Sequence, residues 1–454
     1  PVGPGETMNS FLRRRTEDQD RFCPARHGSG WRHAGAGPAD EPRRTDGNQP
    51  MTHAIDRCDV AIVGGGLVGT PLACALAELG LSVALVEAAL PPPLAPEAPL
   101  DIRVSAIAPA SEDWLRALGV WQRMPETRLC AYRRMHVWDR GGAIDFDAAM
   151  VPAERLGTIV ENRLIQQAAL EALGGHPRIR CYIPLRAKTL GWSGERARLT
   201  LADGTLLEAA LVVGADGADS GIRALAGIPS FGHDYDQWAI MTQVRTERPH
   251  HHTAWQRFLP DGPLAFLPLA DGRCAIVWSC TTAIARAYMD LPDEVFLRAL
   301  TDGSEGLLGT VLACGPRVSF PLRLVHAVRY VGERVVLVGD AAHLVHPLAG
   351  QGVNLGYQDA MALVTAIRQG RAQGRDVGEP WVLGCYQRLR RAHNLLTAAS
   401  MDGFNYLFGN VNPVLSGLRN FGLAGVDRLG LVKRAIMRQA MGLNPDVPEV
   451  GKEG

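Results

Sequence analysis

Several signatures are missing from this chain of 454 residues. Lysines plus arginines equal aspartates plus glutamates, 47 of each. No surplus of charge therefore points to nucleic acid or an anionic surface as a partner. The nine cysteines are odd in number and scattered with no C-x-x-C among them, which suits a reducing cytosol and argues against a disulfide framework. No apolar run reaches the roughly 18 residues of a spanning helix, and no secretory leader pattern is present. A cytoplasmic protein is expected. A G-x-S-x-G elbow and a Walker loop are also lacking, which speaks against hydrolase and P-loop chemistry. His343 and His346 stand three apart, and His250 to His252 form a run, but no cysteine or acidic partner stands at ligand spacing nearby. No metal is expected. The histidine run reads as a solvated loop between strands.

What is present is enough apolar residue, 46%, to bury a large core in two or three domains. Residues 1–55 differ from the rest: Pro, Gly, Arg, Asp and Glu dominate and no periodicity survives, so a disordered extension is expected. Met51 stands just before the patterned region. An upstream extension or a misassigned start is favoured over a transit peptide, because acidic residues interrupt the arginines.

Three segments carry chemistry. Asp56 to Val63 has a strand pattern and leads into Gly64-Gly65-Gly66-Leu67-Val68-Gly69, a G-x-G-x-x-G that opens a helix pattern. Glu87 closes a second strand, Ser82 to Val86, about 20 residues further on, where an adenosine ribose is held in dinucleotide folds. The middle segment, Leu211 to Arg223, is a buried strand running into the acidic turn Asp216-Gly217. The third begins with the apolar β-branched run Arg334 to Val338 and ends in Gly339-Asp340-Ala341-Ala342-His343. His346-Pro347-Leu348-Ala349-Gly350-Gln351-Gly352-Val353-Asn354-Leu355-Gly356-Tyr357-Gln358-Asp359 follows, with a helix expected from Leu355 to Ile367. Its glycines admit backbone close to a flat ligand, and its helix N-terminus suits an anionic edge.

In this order the three segments resemble the class A flavoprotein monooxygenases, and HPLAGQGVNLGYQD is similar to the signature of the ubiquinone-biosynthesis hydroxylases. The likeness runs from about Asp56 to Leu443. It includes Asp101 to Ile107, Tyr132 to Met135, Phe146 to Ala149, Val160-Glu161-Asn162, Trp255 to Phe258 and Asp261 to Leu269. These segments look most like the branch that hydroxylates a polyprenyl methoxy-methyl benzoquinol late in the pathway, a 3-demethoxyubiquinol-type hydroxylation.

The resemblance implies an α/β fold of the p-hydroxybenzoate hydroxylase kind. A Rossmann-like FAD-binding domain would span 56–128, 152–232 and 325–375, and an inserted, mostly antiparallel β-sheet substrate domain would span 129–151 and 233–324. A C-terminal helical region, 376–447, would follow. The substrate sheet includes a hairpin about Gly141-Gly142 and strands from Trp238 to Cys280. After Trp381 the chain reads as helical and mildly basic, with Arg388, Arg390, Arg391, Lys433, Arg434 and Arg438, and is broken at Asn410 to Pro413. Packing on its own domain with the charges exposed is the favoured reading. Peripheral contact with a membrane or with a ubiquinone-biosynthesis protein complex is the other.

By the same resemblance, FAD reduced by NADPH or NADH reacts with O2. The resulting C4a-hydroperoxide passes its distal oxygen to a prenylated quinol ring, in a site that excludes water. Cofactor contacts are expected from Gly64, Gly66 and Gly69 at the pyrophosphate, and from Glu87 at the ribose. Arg103, Asn162 and Asp216 are further candidates, with Asp340 at the ribityl chain or pyrophosphate. Gly352, Val353 and Asn354 would offer backbone to the isoalloxazine. No side chain stands out as a general base, so no catalytic residue is named. Hydroxylation of another ring carbon, an FAD-dependent reductase and a flavin-bound scaffold are the alternatives. A halogenase would carry W-x-W, and none occurs.

Overall fold

The computed structural model describes residues 55–95, 97–139, 141–346 and 352–409, together with 433, 434, 437, 438 and 440–442. The expectations for residues 1–54, for the loop 347–351 and for the break at 410–413 lie outside the described residues.

Ile55–Val63 is a buried β-branched strand, and it pairs in parallel with Val83–Val86 on one side and Leu206–Gly214 on the other. Val335–Leu337 and Ile179–Tyr182 extend the same sheet at its two ends, and an antiparallel meander, Ala187–Ser193 with Arg196–Leu201, completes an 8-stranded sheet. The central strands Val83–Val86, Leu206–Gly214 and Val335–Leu337 are buried on both faces, and such strands need helices over them. Gly69–Glu78 and Asn162–Leu173 pack against one another beside this sheet, and Gly352–Ala372 contacts the first of them. Pro71 lies in the first turn of the first helix, where its missing N–H costs nothing.

The second large sheet has nine strands and is mostly antiparallel. At its centre the long strand Ser230–Thr246 pairs with Cys274–Thr281 on one side and Val318–Ala327 on the other. Gly262–Pro268 and Thr253–Leu259 continue outward, and the hairpin Arg134–Trp138 with Ala143–Asp147 joins in parallel to Thr253–Leu259. The turn at 141–142 is thus confirmed as a hairpin.

Two strands pair otherwise than expected, and one end differs. Cys130–Tyr132 leaves the hairpin and pairs with Gly157–Glu161 in a separate three-stranded sheet. His343–Leu344, expected in the cofactor domain, forms the end strand of the antiparallel sheet against Val318–Ala327, because the chain turns sharply after the Gly339–Ala341 helical turn. The first strand begins at Ile55, one residue inside the expected disordered extension.

Helix Gly352–Ala372 starts earlier than expected, so Gly352-Val353-Asn354 form its first turn. It packs against Pro380–Gly409, and here the basic reading needs correction. Arg390 is buried, with its guanidinium 2.7 Å from Asp359 inside the protein. A second correction concerns the histidine run. His250 is buried with Nε2 3.2 Å from the Leu269 carbonyl, while only His251 and His252 are exposed. Among the described residues, no helix is long and apolar enough to cross a membrane.

Candidate functional site

A cleft of about 820 Å³ lies between the parallel sheet's C-terminal edge and one face of the antiparallel sheet. That size falls within the range of small-molecule and cofactor sites, and the strand ends of an α/β sheet are where such sites form.

One wall comes from the nucleotide fold. Gly64, Gly66, Glu87, Arg103, Asn162, Asp216, Asp340, Gly352 and Val353 all line it. The structure therefore brings together residues spread over nearly 290 positions of sequence. Gly69 and Asn354 are not part of this lining. The first is tight against the loop: a Cβ at Gly69 would overlap the carbonyl oxygen of Gly64, and one at Gly64 would overlap that of Ala215. Gly64 and Gly69 thus serve close packing of helix, loop and strand. Only Gly66 opens toward a ligand, with nothing within 4 Å of where its Cβ would stand. Gly352 is equally open, so the two glycines form a cradle that a side chain would fill. The helix that begins at Gly69 has no side-chain cap at its N-terminus; Thr70 N donates to Gly66 O at 3.3 Å and Leu72 N to Val68 O at 3.1 Å, and Pro71 has no N–H.

The polar side chains of this wall are held by the protein itself. Glu87 Oε2 accepts from Gly65 N at 2.6 Å and Oε1 from Ala89 N at 2.9 Å. Asp216 accepts from the Ser220 hydroxyl, and from Ile222 N at 3.0 Å, fixing the acidic turn to the short helix Gly221–Leu225. Asn162 Oδ1 accepts from Ser105 Oγ at 2.7 Å. Arg103 lies over the Phe320 ring with its guanidinium carbon 5.6 Å from the centroid. The side chain of Asn354 faces away from the cleft: it donates to Ala106 O at 2.8 Å and accepts from Ala108 N at 2.9 Å. Only the backbone of Asn354 remains for a ligand. Asp340 is exposed, but to the cleft rather than to bulk water, and the enclosing protein raises its carboxyl above the ordinary value.

Behind Asp340 stands a cluster that sequence reasoning did not assign. Asp359, wholly buried, accepts from His343 Nε2 at 2.5 Å and from Gly339 N at 3.0 Å on one oxygen. Its other oxygen accepts from Arg390 Nε at 2.7 Å and Asn394 Nδ2 at 2.9 Å. A carboxylate can only accept, so His343 carries its proton on Nε2. Burial by itself would raise the Asp359 carboxyl, but His343 and Arg390 outweigh it and hold it well below the usual carboxylate range. The cluster pins the peptide at Gly339, and so the position of Asp340. An available signal was an acidic residue placed inside an apolar helical pattern, at the end of the signature.

The opposite wall is one face of the antiparallel sheet. Residues directly opposite each other across a ladder share a face. Gln256 faces Ala265, Ala265 faces Val277, and Val277 faces Met241. Two residues along, Ser279 faces Ala239, which faces Phe320. Gln256, Ala265, Val277, Met241, Ser279 and Phe320 all line the cleft, with Pro263 and Leu267. The reverse face, with Trp278 against Tyr288 and Phe296, packs on helices Thr282–Met289 and Asp293–Gly303. Where the two walls meet, buried His346 has Nε2 3.3 Å from Gln237 Oε1 and stands edge-on to Tyr235. Burial pushes its imidazole down to about 4.

A flat, partly anionic cofactor fits a cleft with an open glycine cradle, Arg103 and acidic acceptors on one side. An apolar lid on the other keeps water out. Fold and cleft together define an FAD-dependent monooxygenase. The family model for the FAD binding domain matches residues 57–395. The 3-demethoxyubiquinol 3-hydroxylase of Escherichia coli (strain K12) is 40% identical over 392 residues, which cover 85% of this chain and 98% of that one. The ubiquinone hydroxylase UbiL of Rhodospirillum rubrum is 40% identical over 406 residues, covering 88% and 94%. Among solved structures, p-nitrophenol 4-monooxygenase PnpA from Pseudomonas putida DLL-E4 shares the fold, with a TM-score of 0.70 over 87% of this chain and all of that one, at 19% identity. The chain belongs to the ubiquinone-biosynthesis FAD-dependent hydroxylases.

Proposed function

We propose that the chain binds FAD in this cleft, takes electrons from NADPH or NADH, and hydroxylates the ring of a polyprenylated benzoquinol with O2 at the carbon attacked in 3-demethoxyubiquinol-type hydroxylation. The observation that carries this reading is the pairing of a polar, glycine-cradled wall with an apolar sheet face across one cleft. Such a cleft suits a cofactor that activates oxygen beside a lipid-like ring. When bound, the flavin supplies the oxygen activation, and the protein supplies orientation and dryness. The likeness to the Escherichia coli 3-demethoxyubiquinol 3-hydroxylase over 98% of its length supports the choice of ring carbon.

In this reading Gly66 lets backbone approach the pyrophosphate, with Arg103 opposing its charge. Gly64 and Gly69 act through packing. Glu87 receives a ribose hydroxyl, and Asn162 and Asp216 face the cofactor with side chains already fixed. Asp340 accepts a hydroxyl of the ribityl chain. Gly352, Val353 and the backbone of Asn354 present the helix N-terminus to the isoalloxazine edge, where negative charge collects on reduction. No side chain is assigned as a general base, since the ring's own hydroxyl activates the carbon.

Deleting the gene and identifying the accumulated quinone precursor by mass spectrometry tests the proposal. The expected result is an intermediate one hydroxylation short, of the demethoxy type. An unaltered quinone pool would overturn the assignment, and accumulation of an earlier intermediate would move it to another ring carbon.

A further inference from the structure

Two side chains of the sheet wall do not fit an apolar lid. Gln256 is 5% exposed and Ser279 is 1% exposed. Both line the cleft. Every other side chain contributed to the cleft by this face, from Met241 across Ala265 and Val277 to Phe320, is apolar. Across the cleft Glu87 and Asp216 are engaged by backbone N–H groups, whereas the Gln256 amide makes no hydrogen bond among the described residues. Buried amides are nearly always paired, because an unmade hydrogen bond forfeits hydration without compensation. The Gln256 amide is not wholly enclosed but opens on the cleft, where a ligand's polar atom can meet it.

Register makes the placement rigid. Gln256 lies directly opposite Ala265, whose small side chain leaves the amide room. Ser279 stands two strands over and two residues along, about 12 Å away between α-carbons by ordinary sheet spacing. A six-membered ring with oxygens on opposite carbons bridges such a gap once the two side chains are counted. Ser279 is itself braced, since Gly262, with φ of 137°, brings its backbone against the Ser279 carbonyl so closely that no Cβ would fit.

We propose that Gln256 and Ser279 are the ring anchors that set substrate specificity: the Gln256 amide and the Ser279 hydroxyl hydrogen-bond the two ring oxygens of a benzoquinol and hold its face toward the cofactor wall. This rests on the hydroxylase reading above. Gln256 donates through its N–H and accepts through its carbonyl, so it serves a ring hydroxyl in either orientation. The rest of the ring and its prenyl substituent meet only apolar surface on this face. A site of this kind discriminates strongly against an analogue that lacks the hydroxyl, because its own buried group is then stranded.

The test uses the FAD-loaded full chain and two probes, a methoxy-methyl benzoquinol carrying one prenyl unit and its di-O-methyl ether. Dissociation constants are read anaerobically from the perturbation of the flavin spectrum. The wild-type protein is expected to prefer the free quinol by about tenfold or more. Gln256→Leu is expected to load FAD normally and to lose most of that preference, by weaker binding of the quinol with little change for the ether. Ser279→Ala, a milder truncation, gives the same direction with a smaller change and decides the matter if Gln256→Leu fails to fold. Unchanged discrimination in a variant with normal FAD loading overturns the anchors and leaves the hydroxylase reading standing. A wild-type protein that binds neither probe overturns both.

Discussion

The two walls of the cleft solve opposite problems. On the cofactor side, Glu87, Asp216 and Asn162 are each tied to a nearby backbone or hydroxyl group, and Asp359 anchors the Gly339 peptide from behind. Those groups are set before any ligand arrives. On the sheet side the lining is mostly apolar, and the Gln256 amide makes no hydrogen bond among the described residues. In the proposed reading, one wall is preorganised for the cofactor and the other is completed by the substrate. That reading puts cofactor affinity in the first wall and substrate selectivity in the second.

The largest expected effect comes from breaking the support behind the cofactor wall. Asp359→Ala leaves Arg390 buried without its carboxylate, a change that costs about 3–5 kcal/mol in comparable buried pairs. Thermal unfolding and flavin loading should fall together. A variant with normal loading and an unchanged melting temperature would mean that the Gly339 turn holds itself.

His346 sharpens the comparison at the seam between the walls. Its pKa lies at about 4 in the folded chain, against about 6.5 when unfolded. The unfolded chain therefore takes up the proton first as pH falls. The stability from this group is complete above about pH 6.5 and is lost progressively toward pH 4, by up to about 3 kcal/mol. His250, His326 and His393 are shifted the same way by burial and add to the trend. Asp359 contributes only in a lower window, because its depressed carboxyl loses stability as pH falls below the ordinary carboxylate value of about 3.9. Melting temperatures measured from pH 7 down to 4.5 should decline in the wild-type protein and decline less in His346→Phe. Parallel curves would show that the imidazole is not buried as described.

A matched pair of glycine substitutions divides the cofactor wall itself. Gly69→Ala forces a Cβ into the Gly64 carbonyl and should cost about 1–3 kcal/mol of stability. Gly66→Ala meets only open space. It should change stability by less than about 0.5 kcal/mol while weakening FAD binding, as followed by flavin fluorescence on dilution. If both variants lose stability equally, the cradle at Gly66 is a packing feature.

Legible in the sequence were the segments that are contiguous. The strand, glycine loop and helix from Asp56 to Glu78 announce themselves by local pattern, because the chain must turn tightly where the ligand's charge will lie. Glu87 and Asp340 followed from their places at strand ends, and the family from the wording of the loop after His346. The fingerprint did not separate its glycines by role. Which of them packs and which opens depends on Ala215, more than a hundred residues away.

By itself, then, the sequence determined a dinucleotide-binding α/β pattern, since short-range periodicity and turn chemistry need no partners to be read, and the resemblance of its signature added the ubiquinone-hydroxylase family. Tertiary structure alone decided the rest. Asp359 becomes a buried anchor only when Arg390 folds back from the next helix, and charge pairs across helices leave no trace in either helix's pattern. Gln256 and Ser279 come to one face only through the register of strands that are buried on both sides. In such strands polar and apolar residues do not alternate with exposure, so which side chains face the cleft is written in the pairing of the strands.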